Sequence, residues 1–169
     1  MSALELSVPN TFVSFQYMGS VMQIETMSQV DCRTLIRDER LGRLAYCKDD
    51  RPLVVPIHYV CSGNLIYCFS MPGQKLDVMR ANPNVCFEIE NIERSNRWRC
   101  VIIQGLFHEF STPEHKQAAW EILKVHNDWW EVGSQSVREK DQYENSLTTY
   151  FSISMDLING REAISGHRL

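Results

Sequence analysis

No two of the six cysteines (Cys32, Cys47, Cys61, Cys68, Cys86 and Cys100) form a C-x-x-C pair, so zinc-like and thioredoxin-like spacings are missing. Most of them fall among Val, Ile and Phe in expected strands, where a free thiol in a reducing compartment acts as a small hydrophobe. No window is apolar enough to cross a bilayer, and the N-terminus lacks a basic stretch followed by a long apolar run. The net charge is −4 with Lys and Arg scattered, which is not the footprint of a nucleic-acid binder. These gaps leave a cytoplasmic protein as the expectation, with no nucleic-acid or membrane partner.

What is there is ordinary for a globular chain. With 169 residues, 44% hydrophobic and 22% charged, the sequence can build one domain with a proper core and is short for two. Residues 1–25 carry no charge beyond Glu5 and Glu25 and alternate weakly at Thr11, Val13, Phe15 and Tyr17, so they read as an N-terminal arm or strand ahead of a domain over 26–169.

Ser28 with Asp31 has the form of a capping box, and Cys32, Leu35 and Ile36 then share a helical face, which predicts a helix to about Asp38. From Leu41 the pattern changes to short apolar runs divided by turns. Leu41–Cys47, Leu53–Val60 and Leu65–Phe69 read as two successive hairpins. Both alternating sets of the second run are largely apolar, so both of its faces are expected to be covered, as in a barrel wall with something packed outside it. Pro56 cannot donate to a ladder and marks an edge, a bulge or a strand leaving its neighbour.

Gly73–Ala81 reads as a helix stopped by Asn82-Pro83. Strands follow at Val85–Ile89 and Trp98–Phe110, with a polar loop over 91–97 and a bend near Gly105. Thr112-Pro113-Glu114 places an N-cap, a first-turn proline and an acid before Ala119, Ile122, Leu123, His126 and Trp130 at helical spacing. Residues 131–145 read as a polar connection, and Thr149, Phe151, Ile153 and Met155 alternate as a final strand.

Two segments suggest a flat, phosphate-bearing ligand. The apolar strand Leu53–Tyr59 offers a flat wall, and the turn Ser70-Met71-Pro72-Gly73-Gln74-Lys75 opens a helix whose free N–H groups and Lys75 suit an anion. The plain alternative for Lys75 is a solvated first-turn lysine. Arg80 lies about 140° around the helix from Lys75 and reads as solvated. Arg43 is a second-rank phosphate candidate. His58 points to the same side as Val54 and Pro56, toward a ring edge or a satisfying carbonyl. His108, His115, His126 and His167 form no metal pair, and packing accounts for Trp120, Trp129 and Trp130 more simply than a lid.

The order and spacing of several motifs resemble the split-barrel flavoproteins related to pyridoxamine 5'-phosphate oxidase, in particular the small bacterial branch with the nitroimidazole-resistance proteins. The motifs are Leu41-Gly42-Arg43-Leu44-Ala45, Val54-Val55-Pro56-Ile57-His58-Tyr59, Ile66-Tyr67-Cys68-Phe69-Ser70, Gly73-Gln74-Lys75, the run from Arg80 to Phe87, and Trp98 to Glu109. The resemblance implies a mainly β fold with helices: a six-stranded Greek-key split β-barrel, homodimeric, with FMN at the dimer interface. It further implies that Val54, Val55, Pro56, Ile57 and His58 line the flavin ring, that Ser70, Gln74 and Lys75 hold its phosphate, and that the strand beginning at Trp98 comes from the other subunit. The reaction it implies passes electrons from a reduced nicotinamide to a small organic acceptor. The alternatives are a flavin store, sensor or regulatory binding module without turnover, or haem or a deazaflavin in place of the flavin, which related split barrels also bind. This sequence departs in two places: Phe69 stands where many relatives have histidine, and Gly166-His167-Arg168-Leu169 lacks the Arg-Leu-His-Asp signature of the oxidases themselves.

Overall fold

The computed structural model describes residues 21–125 and 148–166, with helices α1 (Gln29–Asp38), α2 (Gln74–Ala81) and α3 (Pro113–Leu123). Its strands are β1 (Val21–Thr26), β2 (Leu41–Lys48), β3 (Arg51–His58), β4 (Val60–Ser62), β5 (Leu65–Ser70), β6 (Asn84–Arg94), β7 (Arg97–Glu109), β8 (Thr149–Ser154) and β9 (Leu157–Gly166). The N-terminal alternation at Thr11–Tyr17, as well as His126, Trp129, Trp130, the connection over 131–145 and His167, lies outside the described residues.

All strand pairing is antiparallel, and β7 belongs to two sheets. One sheet runs β3-β2-β6-β7-β9-β1 and the other β7-β8-β5-β4, so the path does not close on itself and the architecture is a split barrel. The changeover falls at the expected bend. β7 pairs with β9 through Gln104 and with β6 through Leu106, and from Phe107 it pairs with β8. Gly105 makes the crossing possible, because a Cβ there would come within 1.7 Å of the Ser154 carbonyl oxygen. Ser154 Oγ accepts from Leu106 N at 2.9 Å and ties the two sheets on the other side of the bend.

The six strands expected from the sequence correspond to β2, β3, β5, β6, β7 and β8, and β1, β4 and β9 are additional. β4 arises because the run Leu53–Val60 is broken at Tyr59, where the chain leaves the edge of one sheet for the edge of the other. Tyr59 pins that corner: its N–H donates to Arg40 O at 2.9 Å, its hydroxyl donates to Ile36 O at 2.9 Å, and its buried ring meets Phe87 edge-on at 5.2 Å. The polar segment expected as a loop over 91–97 is mostly ladder. β6 and β7 stay paired out to Arg94 and Arg97 with an irregularity between Ile92 and Arg94, because backbone bonds rather than apolar side chains hold this ribbon.

The helices follow their caps. Ser28 accepts from Asp31 N at α1, and Thr112 accepts from His115 N at α3 with proline in the first turn. Cys32, Leu35 and Ile36 of α1, Leu76 and Met79 of α2, and Ala119 and Leu123 of α3 are buried. The main core fills the space enclosed by the two sheets, with Leu44, Ile66, Phe87, Ile89, Ile103, Phe151 and Ile153 fully buried.

One expectation fails in the single chain. β3 is not covered on both faces: Ile57 is buried and Leu53 and Val55 pack against the core, but Val54 and Pro56 on the other face are exposed, Val54 by 59%. β3 pairs only with β2 among the described strands, so Pro56 sits on an edge strand where its missing N–H costs no ladder bond.

Candidate functional site

The site candidates sit on β3, at the end of β5 and in the first turn of α2. Alternation along β3 divides them. The side chains of Val55 and Ile57 turn into the core, so these residues can present only backbone to a ligand on the outer face, where Val54, Pro56 and half-buried His58 project. Phe69, the residue before Ser70, joins Leu41, Pro56, Ile57 and His58 around a cavity of about 300 Å³. This cavity brings β3 and the end of β5, one residue before Ser70, together across the gap between the two sheets. Phe69 was not a site candidate in the sequence; its position one residue from Ser70 was the available signal. Its ring leans on Tyr150, centroids 6.4 Å apart at 45°.

In the turn, Ser70 is half-buried and its hydroxyl donates to Met71 O at 3.0 Å. Gly73 caps α2 without a side-chain hydrogen bond, so the first amides of the helix gain no partner from the cap side chain. Gln74 is exposed and Lys75 is half-buried. Burial pushes the Lys75 ammonium below its ordinary lysine value, with the neighbouring Cys68 sulfur opposing the shift. No ion pair holds Lys75 among the described residues.

The other cations of this region are engaged. Arg80 donates to both oxygens of Glu109, at 2.7 and 3.0 Å, and to Asp77 at 2.9 Å, which raises its pKa and fixes it on the opposite side of α2. Arg43 is exposed and paired with Glu90. Trp98 is not brought to this site within one chain. It stands half-buried on β7, three strands from β3 or about 14 Å at ordinary strand spacing, beside a separate cavity of about 300 Å³ with Arg97, Arg99 and Glu162.

Burial pushes up the thiols of Cys32, Cys61, Cys68, Cys86 and Cys100, the reverse of what an activated nucleophile needs. Cys68 is fully buried and its thiol is pushed up by desolvation. Cys100 is pushed up to about 12 by burial and by Glu88, whose Oε1 accepts from its sulfur at 3.4 Å. His108 and His115 flank Phe110 edge-on at 5.7 and 6.4 Å and are exposed, away from the β3 cavity.

An open split barrel with an apolar outer strand, a glycine-capped helix start and a half-desolvated lysine defines the class. Its family is that of pyridoxamine 5'-phosphate oxidase, to which the chain belongs: the model of that family matches residues 28–162. An uncharacterised protein of Rhizobium meliloti is 37% identical over 149 residues, covering 86% of this chain and 99% of the relative. An FAD-binding protein of Mesorhizobium loti is similar at 32% identity, with 85% of this chain and 99% of that chain covered and a TM-score of 0.67. A candidate 5-nitroimidazole antibiotic resistance protein of Bacteroides thetaiotaomicron shares the fold at 17% identity, with 85% and 89% covered and a TM-score of 0.68.

Proposed function

We propose that this protein is a homodimeric flavoprotein that passes electrons from a reduced nicotinamide to a small organic acceptor in the cytoplasm. The observation that carries the reading is the cavity in which Phe69, at the start of the turn containing Ser70, Gln74 and Lys75, faces Pro56, Ile57 and His58. It supports reading the apolar wall and the turn that follows Phe69 as parts of one site, which suits a flat ring joined to a phosphate.

The FMN portion of the flavin lies with its ring along Val54–His58, where Val54, Pro56 and His58 offer side chains and Val55 and Ile57 offer backbone. Its phosphate is held by Ser70, Gln74, Lys75 and the first amides of α2. A phosphate supplies the negative charge that the half-buried Lys75 lacks. The flavin, when bound, supplies the redox chemistry. The chain's own residues orient it, exclude water from one ring face and keep charge away from it, since no residue lining the 300 Å³ cavity is acidic or basic other than His58.

The second subunit covers the outer face of the larger sheet, which exposes Leu41 by 51%, Val54 by 59% and Ile92 by 62%. An apolar area of this kind on a sheet is a docking surface rather than a solvent face. Trp98 of the partner subunit completes the ring site. Six free cysteines fit a reducing compartment.

Anaerobic mixing of the flavin-loaded protein with NADH or NADPH tests the reaction: bleaching of the flavin bands within seconds supports it. A flavin that stays oxidised leaves a binding module without turnover. Val54→Asp should halve the mass measured by sedimentation, and a wild-type protein that already sediments as a monomer would contradict the dimer.

A further inference from the structure

A larger cavity, about 550 Å³, lies on the outer face of the larger sheet, over β2, β6, β7 and the start of β9. Its volume falls within the range of about 300–1,000 Å³ that small-molecule sites occupy. The ladder register joins it to the ring wall. Val54 stands opposite Ala45, Ala45 opposite Cys86, Cys86 opposite Gln104 and Gln104 opposite Leu157, and residues opposite one another share a face of the sheet. Every member of this row except Val54 lines the cavity, which therefore begins one strand, about 5 Å, from Val54. The floor is low because Ala45 and Cys86 are small, whereas the next row carries Arg43, Glu88 and Ile102.

We infer that this cavity takes the electron acceptor, and that the acceptor is a flat, uncharged aromatic carbonyl compound of the quinone kind, an inference that rests on the flavin reading above. Among the described residues no lysine, arginine or histidine lines the cavity, and Asp156 brings a carboxylate. Burial pushes the Cys86 thiol up and keeps it uncharged. An anionic acceptor would meet negative charge with nothing to offset it, and so would the phosphates of a nicotinamide dinucleotide. Ala45, Leu106 and Leu157 supply apolar contact for a ring.

The polar groups suit both oxidation states of such a compound. A quinone that becomes a hydroquinone gains two electrons and two protons: the reduced nicotinamide supplies a hydride, and water supplies the other proton. Two carbonyl acceptors thereby become two hydroxyl donors. The Gln104 amide is exposed and can donate to the first or accept from the second. Asn84 Nδ2 donates to Asn82 Oδ1 at 3.0 Å, which leaves Asn84 Oδ1, beside the Asp156 carboxylate, to accept from a hydroxyl. The second subunit, which covers this face in the same reading, closes the cavity over the acceptor.

The test is a calorimetric titration of the flavin-loaded protein with two anthraquinones of matched ring and different charge, neither of which adds to a thiol. Neutral hydroxymethyl-anthraquinone should bind about tenfold more tightly than anthraquinone sulfonate. Leu106→Trp, which fills the cavity from a position 48% exposed, should weaken the neutral compound by about tenfold and leave flavin affinity and sedimenting mass unchanged. Asp156→Asn should strengthen the sulfonate and narrow the gap. Equal affinities for the two compounds, or neutral binding that survives Leu106→Trp, would overturn the inference and leave the flavin reading intact. So would a Leu106→Trp protein at half the wild-type mass, because the second subunit rather than an acceptor would then occupy the cavity. A protein that binds no flavin would overturn both.

Discussion

Lys75 and Arg80 stand five residues apart on one short helix and have opposite surroundings. Arg80 is exposed, yet its guanidinium is fully engaged by Glu109 and Asp77. Lys75 is half-buried, its ammonium is disfavoured by desolvation, and none of the described acids pairs with it. The first arrangement is complete without a ligand, and the second is not. The faces of β3 repeat the contrast, with Leu53, Val55 and Ile57 matched by the core and Val54 and Pro56 left exposed among the described residues. In both places the functional reading rests on the unmatched member.

The comparison can be broken most directly at Lys75. Lys75→Ala should weaken flavin binding by about 10- to 100-fold, the loss that goes with a charge-assisted hydrogen bond. The ligand-free variant should melt no earlier than wild type, because the lost ammonium had no partner. Calorimetric titration beside a melting curve reads both.

The pH dependence sharpens the same point. Phosphate needs the charged amine, and burial lowers the Lys75 pKa in the free protein. Flavin affinity should therefore be fully present below that lowered value and fall as pH rises through it, earlier than an ordinary lysine would give. The alkaline fall should be missing in Lys75→Ala, and a curve shared by both proteins would assign the titration elsewhere.

Arg80→Ala gives the smallest effect and the cleanest control. Flavin affinity should stay unchanged, and stability should fall by about 0.5–1 kcal/mol, an exposed ion-pair contribution that added salt removes. A loss of affinity comparable with that of Lys75→Ala would erase the distinction between the two cations.

Much of this was legible in the sequence. Caps and periodicity located the three helices, and apolar runs between turns located six strands, with Gly105 marking the bend. β9 escaped because its inward positions include Gly160 and Glu162 in place of an apolar series. Gly160 is small because Cys32 of α1 and Met27, two residues ahead of the helix, press on the strand: a Cβ there would stand 2.4 Å from Cys32 Sγ and 2.9 Å from Met27. Close packing of that sort leaves no hydrophobic alternation to read. Among the described strands β1 pairs only with β9, so it was hidden with its partner.

For the site, residue type was enough to single out Ser70, Gln74 and Lys75, and alternation was enough to put Val54, Pro56 and His58 on one face. Three features depended on the fold. The bare outer face of β3 looked covered, because apolar residues on both sides do not say whether the cover comes from the same chain. The enclosure by Phe69 requires β5 to approach β3 across the split. The role of Arg80 was settled by Glu109, which lies on β7, 29 residues away in the chain.

The central claim is that the β3 wall and the Lys75 turn together hold a flavin. The absorption spectrum of freshly purified protein tests it most directly, with mass identification of whatever is released on denaturation. The account predicts flavin bands that travel with the protein and a flavin nucleotide in the released fraction. A colourless protein whose melting temperature does not move when FMN or FAD is added would contradict it.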